Sequence, residues 1–450
     1  MLTVAYDEIE LADDGSRVRA RANCPATPGR FSAGWLLRLA LLTPHRVRLA
    51  ATDDVLRTDR PFVYPLELTR AGMTSFGAQA PALAPDLPPA VLERARRGRA
   101  VILVWLGHEA IPLELNDAGT VWLFDVIEMF IGQHGLPRGA VWLATGTVSA
   151  LDVLVEWLGA RGLYLPEAVE LRALSVFPGF AQATYRANEQ GWDVDCAPND
   201  DGDGADGAVR ASKVALAPDA FRARTVTADE LAAEHASGAL RAKRFLCLND
   251  GVELHRQVIV SALQSAGLLA DSLTRFDAAP VELNGRCAFP VPGMPDFQER
   301  VRDGWLALQP TLPLRVTDPQ PYRASYVSIA SDASFTGYPV VDDRLLAPIL
   351  SRQLFVWAGP PDTLHCLHGL GFRSFARLID ESYDKPDTDS ARMLRLIGAI
   401  EALGRGPKAA LRDLHVAALP ELEHNHAHLI EGRHQLEALL RELDARLGTA

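Results

Sequence analysis

Residues 101–106 (VILVWL) form an unbroken apolar run rich in β-branched side chains. A strand carries such a run when both of its faces are buried, which happens in parallel sheets covered by helices. The surrounding sequence repeats the theme. A helical stretch over 121–134 closes at Gly135-Leu136-Pro137, and 141–144 reads as a second strand turning at Thr145-Gly146-Thr147. Residues 150–158 are helical again, and 169–176 supply a third strand candidate. Strand and helix alternating at this spacing predict a parallel α/β sheet.

The pattern restarts at Lys243, with a strand at 244–248, a helix at 255–267, a strand at 325–330, helix character at 345–350 and a strand at 354–358. The chain of 450 residues therefore divides into two α/β halves, expected at 1–235 and 236–450, with mainly helical sequence after Asp389. Within the first half, residues 1–95 carry no clear pattern. A helix fits 32–43, an extended segment fits 61–68, and four prolines between Pro81 and Pro89 mark a boundary. Leu422, His426, Leu429, Arg433, Leu436, Leu440, Leu443 and Leu447 recur at alternating four-three spacing, which predicts one long final helix with a packed face.

Composition excludes several classes. Apolar residues make up 48% and charged residues 23%, so the chain has ample material for packed cores. No apolar run approaches the about 20 residues that span a bilayer, and the N-terminus lacks a basic segment leading into an apolar one. A soluble, cytoplasmic protein is expected. Lys plus Arg number 45 against 57 Asp plus Glu, a net charge of −12 without a dense basic run, which argues against a nucleic-acid partner. The five cysteines (Cys24, Cys196, Cys247, Cys287, Cys366) are scattered and form no CxxC pair, so neither a zinc ribbon nor a disulfide scaffold is expected.

Several suggestive constellations carry little. The acidic loop 199–207 places Asn199, Asp201, Asp203 and Gly204 like a calcium loop, but Arg210 stands where the closing glutamate belongs. His424, His426 and His428 alternate, so on a helix only His424 and His428 share a face, and no metal site is expected there. No GxSxG elbow, P-loop or GxGxxG lies at a strand–helix junction.

Two segments are better placed for chemistry. In KRFLCLNDGVELHR (243–256) a strand runs into Asn249-Asp250-Gly251, and a helix then opens near His255 and Arg256. Helix amides at such a junction favour anions, and a guanidinium one turn away can fork onto phosphate oxygens. In residues 325–361 two buried strands bracket a helix that opens Asp342-Asp343-Arg344, an acid–base order suited to a ribose diphosphate.

These two segments, together with GLGFRSFARLIDESYD (369–384), resemble a family of phage and bacterial sugar-transferase-like proteins whose C-terminal half is laid out like the donor domain of α1,3-fucosyltransferase-like enzymes. The resemblance covers 240–400 well, 99–190 weakly and 1–95 not at all. It implies an α/β fold of two Rossmann-like domains in the GT-B manner and a glycosyltransferase using a nucleotide-sugar as co-substrate, with the donor in the C-terminal half and the acceptor in the N-terminal half. It puts Asn249, His255 and Arg256 in the donor cleft, Asp343 and Arg344 at the family's Glu-Lys pair, and Ser331 and Asp332 at a polar turn near the base or sugar. The chain departs from the family at Leu345-Leu346-Ala347-Pro348, where a second cation is missing.

Such a transferase needs no metal when cations and helix amides neutralise the departing diphosphate, but it needs a base for the acceptor hydroxyl. Glu109, just beyond the 101–106 strand, is the candidate base, and His108 is its rival. The alternative reading is a catalytically degenerate relative that binds a nucleotide, sugar or protein without turnover. The donor sugar, the acceptor and the oligomeric state are not written in the sequence.

Overall fold

The computed structural model describes residues 1–13, 16–21, 35–44, 46–67, 87–106, 122–147, 150–163, 170–173, 175–198, 208–215, 226–249, 253–276, 320–332, 334–341 and 343–448. The strands are β1 (Leu2–Tyr6), β2 (Glu8–Leu11), β3 (Arg17–Arg21), β4 (Val47–Ala51), β5 (Phe62–Glu67), β6 (Ala100–Leu106), β7 (Val141–Thr145), β8 (Glu170–Ala173), β9 (Trp192–Pro198), β10 (Ala208–Ala215), β11 (Lys243–Asn249), β12 (Ser272–Phe276), β13 (Ser325–Ser331) and β14 (Leu354–Ala358). The helices are α1 (Trp35–Leu42), α2 (Thr52–Leu56), α3 (Pro89–Arg96), α4 (Trp122–His134), α5 (Ala150–Ala160), α6 (Phe177–Glu189), α7 (Ala228–Ser237), α8 (Leu254–Ser265), α9 (Gln320–Ala324), α10 (Asp343–Leu350), α11 (Thr363–Gly369), α12 (Asp389–Gly404), α13 (Lys408–Ala417), α14 (Leu419–Glu431) and α15 (Gln435–Gly448). They build two α/β units, as the alternating pattern predicts.

The first unit comprises Met1–Ala217 with Arg433–Ala450. Its main sheet is parallel, in the order β4-β1-β5-β6-β7-β8. Every residue of β1, β6 and β7 is buried, the physical reason those strands lack alternation. A second sheet, β2-β3-β10-β9, is antiparallel where its neighbours pair. In β3 the period is two: Val18 and Ala20 are buried while Arg17 and Arg19 are not. Both sheets draw on the stretch 1–95, where α1 falls within the helix expected at 32–43 and β5 within the extended segment expected at 61–68.

The second unit is Pro218–Gly432, built on a parallel sheet in the order β12-β11-β13-β14. Counting only parallel strands, both units share one order: the first strand of each is flanked by its second on one side and its third on the other. The boundary expected at 235 falls at 217/218, because α7 belongs wholly to the second unit. A Thr227–Glu230 capping box starts that helix, and Glu234 grips the buried Arg241 through two bonds of 2.8 and 2.9 Å.

The single final helix is also corrected. The four-three spacing, interrupted as a leucine seam only by His426 and Arg433, runs on across 422–447, yet the backbone breaks at Gly432, where an added Cβ would lie 2.2 Å from the His428 carbonyl oxygen. α14 buries Leu422, His426 and Leu429 in the second unit, and α15 returns to the first. There Leu439, Leu440 and Leu443 meet Leu2, Val4, Val63, Leu103 and Trp105 around a small apolar void. Ser175 donates its amide to Gln435 at 2.6 Å, and Gly179 lets α6 approach so closely that a Cβ would sit 2.7 Å from that of Leu436.

Because Leu443 is buried at this seat, Leu443→Ala is expected to cost about 2–5 kcal/mol. The exposed neighbour Arg441→Ala is expected to change stability by roughly 0.5 kcal/mol or less. Urea unfolding of the full chain measures both, and equal costs would contradict the seating of α15.

Candidate functional site

In the second unit the chain leaves β11 for β12 on one side, then crosses back to β13 on the other. The carboxyl ends of β11 and β13 therefore flank a topological switch point, where open α/β sheets present a crevice to ligands. β11 ends at Asn249 and β13 at the buried Ser331. α8 follows β11, with Glu253 at its N-cap and His255 and Arg256 in its first turn.

Both side chains reach across the switch point to one acceptor. Arg256 Nη2 donates to the Asp332 carbonyl at 2.7 Å, and His255 Nε2 lies 3.1 Å from the same oxygen. A carbonyl can only accept, so Nε2 carries the imidazole proton and Nδ1 is bare. The other arm of Arg256, Nη1, pairs with Glu253 at 2.7 Å, and the guanidinium side chain is 1% exposed. Its Nε has no hydrogen-bond partner among the described residues. His255 is held well below its ordinary value, at about 4, first by burial and then by the positive charge of Arg256. Arg344 adds to that depression, while the Asp332 carbonyl and Glu253 oppose it. The imidazole is neutral at pH 7.

Beyond Asp332, whose amide donates to Ala358 at 3.0 Å, the chain turns through Ser334 and Thr336 and passes Gly337 at φ +94°. Phe335 lies stacked on the His255 ring, centroids 5.8 Å apart. Arg344 stands half-buried in the first turn of α10. The residues expected at the donor cleft thus divide. His255, Arg256, Ser331 and Asp332 come together, and Arg344 is close enough to act on His255 electrostatically. Asn249 ends β11 and Asp343 opens α10, but their side chains lie outside the described residues, as do Glu109, His108, Asp342 and the acidic loop 199–207.

Three residues here were not anticipated: Glu253, Phe335 and Arg392. Arg392 is 1% exposed and donates to three carbonyls: Tyr383 at 3.1 Å, Phe335 at 2.9 Å and Gly359 at 2.6 Å. A signal existed, since Arg392, Leu396 and Ile400 follow at i, i+4 spacing and place a cation on the apolar face of α12.

The run 369–384 serves mainly as structure. Asp384 Oδ2 accepts from the Leu364 and His365 amides at 3.0 and 3.2 Å and so caps α11. Glu381 accepts from the Phe375 amide at 2.8 Å, and burial raises the pKa of both carboxyls. The alternating histidines are spent on backbone carbonyls: His424 on Gly371 at 3.0 Å, His428 on Leu370 at 2.8 Å, and His426, on the opposite face, on Leu350 at 3.1 Å.

The corresponding switch point of the first unit lies between β1 and β5. There the buried Tyr64 hydroxyl donates to exposed Asp7 at 2.6 Å. Sequence reading passed over Asp7 because LTVAY was not recognised as a strand.

No family model matches the chain, and no curated protein matches it. Among solved structures, one described as trehalose-6-phosphate from E. coli bound with UDP-2-fluoro glucose aligns over 92% of this chain and 79% of its own, at 10% identity and a TM-score of 0.36. The fold class rests on the strand orders given above. Among the described residues no helix is long and apolar enough to cross a membrane.

His255 titrates near 6.5 when unfolded and near 4 when folded. Between those values the unfolded chain binds more protons, so this contribution is full above pH 6.5 and is lost as pH falls toward 4. The loss is expected to be roughly 1–3 kcal/mol. His255→Gln keeps a donor for Asp332 and cannot titrate. Urea unfolding at pH 7 and pH 4.5 should show a smaller drop for the variant than for the wild type, and equal drops would contradict a buried neutral imidazole.

Proposed function

We propose that the chain is a glycosyltransferase of the GT-B kind that binds a nucleotide-sugar donor at the switch point of its second unit. The observation that carries this reading is the Asp332 carbonyl, just past the end of β13, held by His255 and Arg256 from the first turn of α8, the helix that follows β11. It supports a crevice fixed in shape, bordered by the start of α8 and by Arg344 in the first turn of α10. In this reading Arg344 and the helix amides meet the diphosphate. Ser331 and Asp332 line the base or sugar side, and Asn249 and Asp343 belong to the donor-binding set on the family resemblance. Arg256, with both terminal nitrogens engaged by Glu253 and Asp332, and His255 hold the crevice rather than the phosphate. Charge on the leaving diphosphate is met by Arg344 and the helix amides without a metal step. Glu109, or else His108, takes the acceptor proton. With no family model in support, the narrower α1,3-fucosyltransferase-like assignment is not carried further.

One observation favours a second reading, binding without turnover. Where the family resemblance calls for a further cation, in the run Leu345-Leu346-Ala347-Pro348, the chain carries Ala347, which has no charge to offer. Turnover separates the two readings.

The test is a thermal-shift and calorimetric screen of uridine, guanosine, adenosine and thymidine diphosphates, with and without Mg²⁺. A bound diphosphate at 100 times its Kd stabilises the chain by about 2.7 kcal/mol. Arg344→Ala is expected to weaken binding roughly ten- to a hundredfold, the range of a lost charge-assisted contact. If no nucleoside diphosphate raises the Tm, the transferase reading falls. If binding holds and sugar transfer survives Glu109→Gln, the base assignment alone is lost.

A further inference from the structure

The loop after β13 is held at two carbonyls by three buried side chains, and the third of them comes from far along the sequence. His255 and Arg256 hold Asp332, and Arg392 holds Phe335 three residues on. Arg392 also places its guanidinium carbon 4.4 Å from the centre of the Phe335 ring, which is also stacked on the His255 imidazole. Two further bonds of Arg392, to Gly359 after β14 and to Tyr383, fix the guanidinium to the strand end and to the 369–384 run, and Asp389 balances its charge at 3.6 Å.

We infer that Arg392 is a positioning residue for the proposed donor site: it fixes Phe335, and through Phe335 the His255 ring, so that the crevice between β11 and β13 keeps one shape. The inference rests on the donor reading for its functional meaning but not for its structural test. A cation buried to 1% exposure and shared among three carbonyls is costly to place and has few alternative geometries. Its loss releases Phe335, opens His255 to water and removes the largest cause of that imidazole's depressed basicity. The charged groups facing His255, namely Arg256, Glu253 and Arg344, stay in place, so a change in its titration reports on burial.

The experiment follows the His255 titration by NMR in the full chain, the resonance being assigned by its disappearance in His255→Gln. Arg392→Gln and Phe335→Leu are compared with Tyr383→Phe, which removes a buried hydroxyl that accepts from the Trp357 amide and touches neither Phe335 nor His255 through any bond described above. The expected result is a His255 midpoint raised by about one pH unit or more in Arg392→Gln and Phe335→Leu, partly restored in Arg392→Lys, and unmoved in Tyr383→Phe despite its lower Tm. Hydrogen exchange of amides 334–341 should quicken in the same variants. If Arg392→Gln is too unstable to study, Arg392→Lys and Phe335→Leu decide the question. A midpoint that stays near the wild-type value in them overturns the inference, as does an equal shift in Tyr383→Phe. Nucleoside diphosphate affinity, measured on the same proteins, is expected to fall about tenfold in Arg392→Gln. If the wild type binds none while the His255 shifts appear, the donor reading has failed and the positioning role stands.

Discussion

One carbonyl oxygen, that of Asp332, receives two donors from the first turn of a helix 76 residues earlier in the chain. The bond matters because of what it resolves. β11 and β13 are neighbours whose chain leads on to strands on opposite sides, so their carboxyl ends flank a switch point, which His255 and Arg256 span. Spanning it with a buried guanidinium is expensive unless that group is paired and hydrogen-bonded. Glu253 supplies the charge and Asp332 the acceptor. Phe335 and Arg392 continue the brace away from the strand end. Cutting one bond in such a network leaves another buried polar group unsatisfied, at a cost of about 1–3 kcal/mol.

The same economy of topology appears in both units. Each parallel sheet places its first strand between its second and third, and each therefore has one switch point between its first and third strands. In the first unit the Tyr64–Asp7 bond spans that point, and in the second the histidine and arginine of α8 do so. The chain passes from the first unit to the second after Ala217 and returns after Gly432, so α15 completes a core begun by β1.

What the sequence disclosed follows from the physics of burial. Strands buried on both faces, such as β6, β7, β11, β13 and β14, are legible as short apolar runs, and each was found within a residue or two of its ends. β1 is as buried as any of them, yet its five residues run straight into an acidic segment and were read with it. β3 (RVRAR) hides its two apolar residues among three arginines, and β9 (WDVDCAP) and β10 (AVRASKVA) flank the acidic loop without an apolar run to mark them. The leucine period across 422–447 was real, but a period cannot show that one stretch faces one unit and the next faces another. At the site, residue types and neighbourhood were legible at His255, Arg256, Ser331, Asp332 and Arg344. The partners were not, because a bond between a side chain and a backbone carbonyl far along the chain leaves no mark in composition. Arg256, read as a phosphate ligand, is bonded to the protein at both terminal nitrogens.

The central claim is that the crevice between β11 and β13 is where this protein meets an anionic ligand. Hydrogen–deuterium exchange of the full chain, with and without the nucleoside diphosphate that raises its Tm most, tests it directly. The account predicts that slowing concentrates in peptides covering 253–260 and 331–346, at the starts of α8 and α10 and the loop between β13 and α10. Slowing confined to the first unit, or to segments of the second unit away from these two, would contradict it.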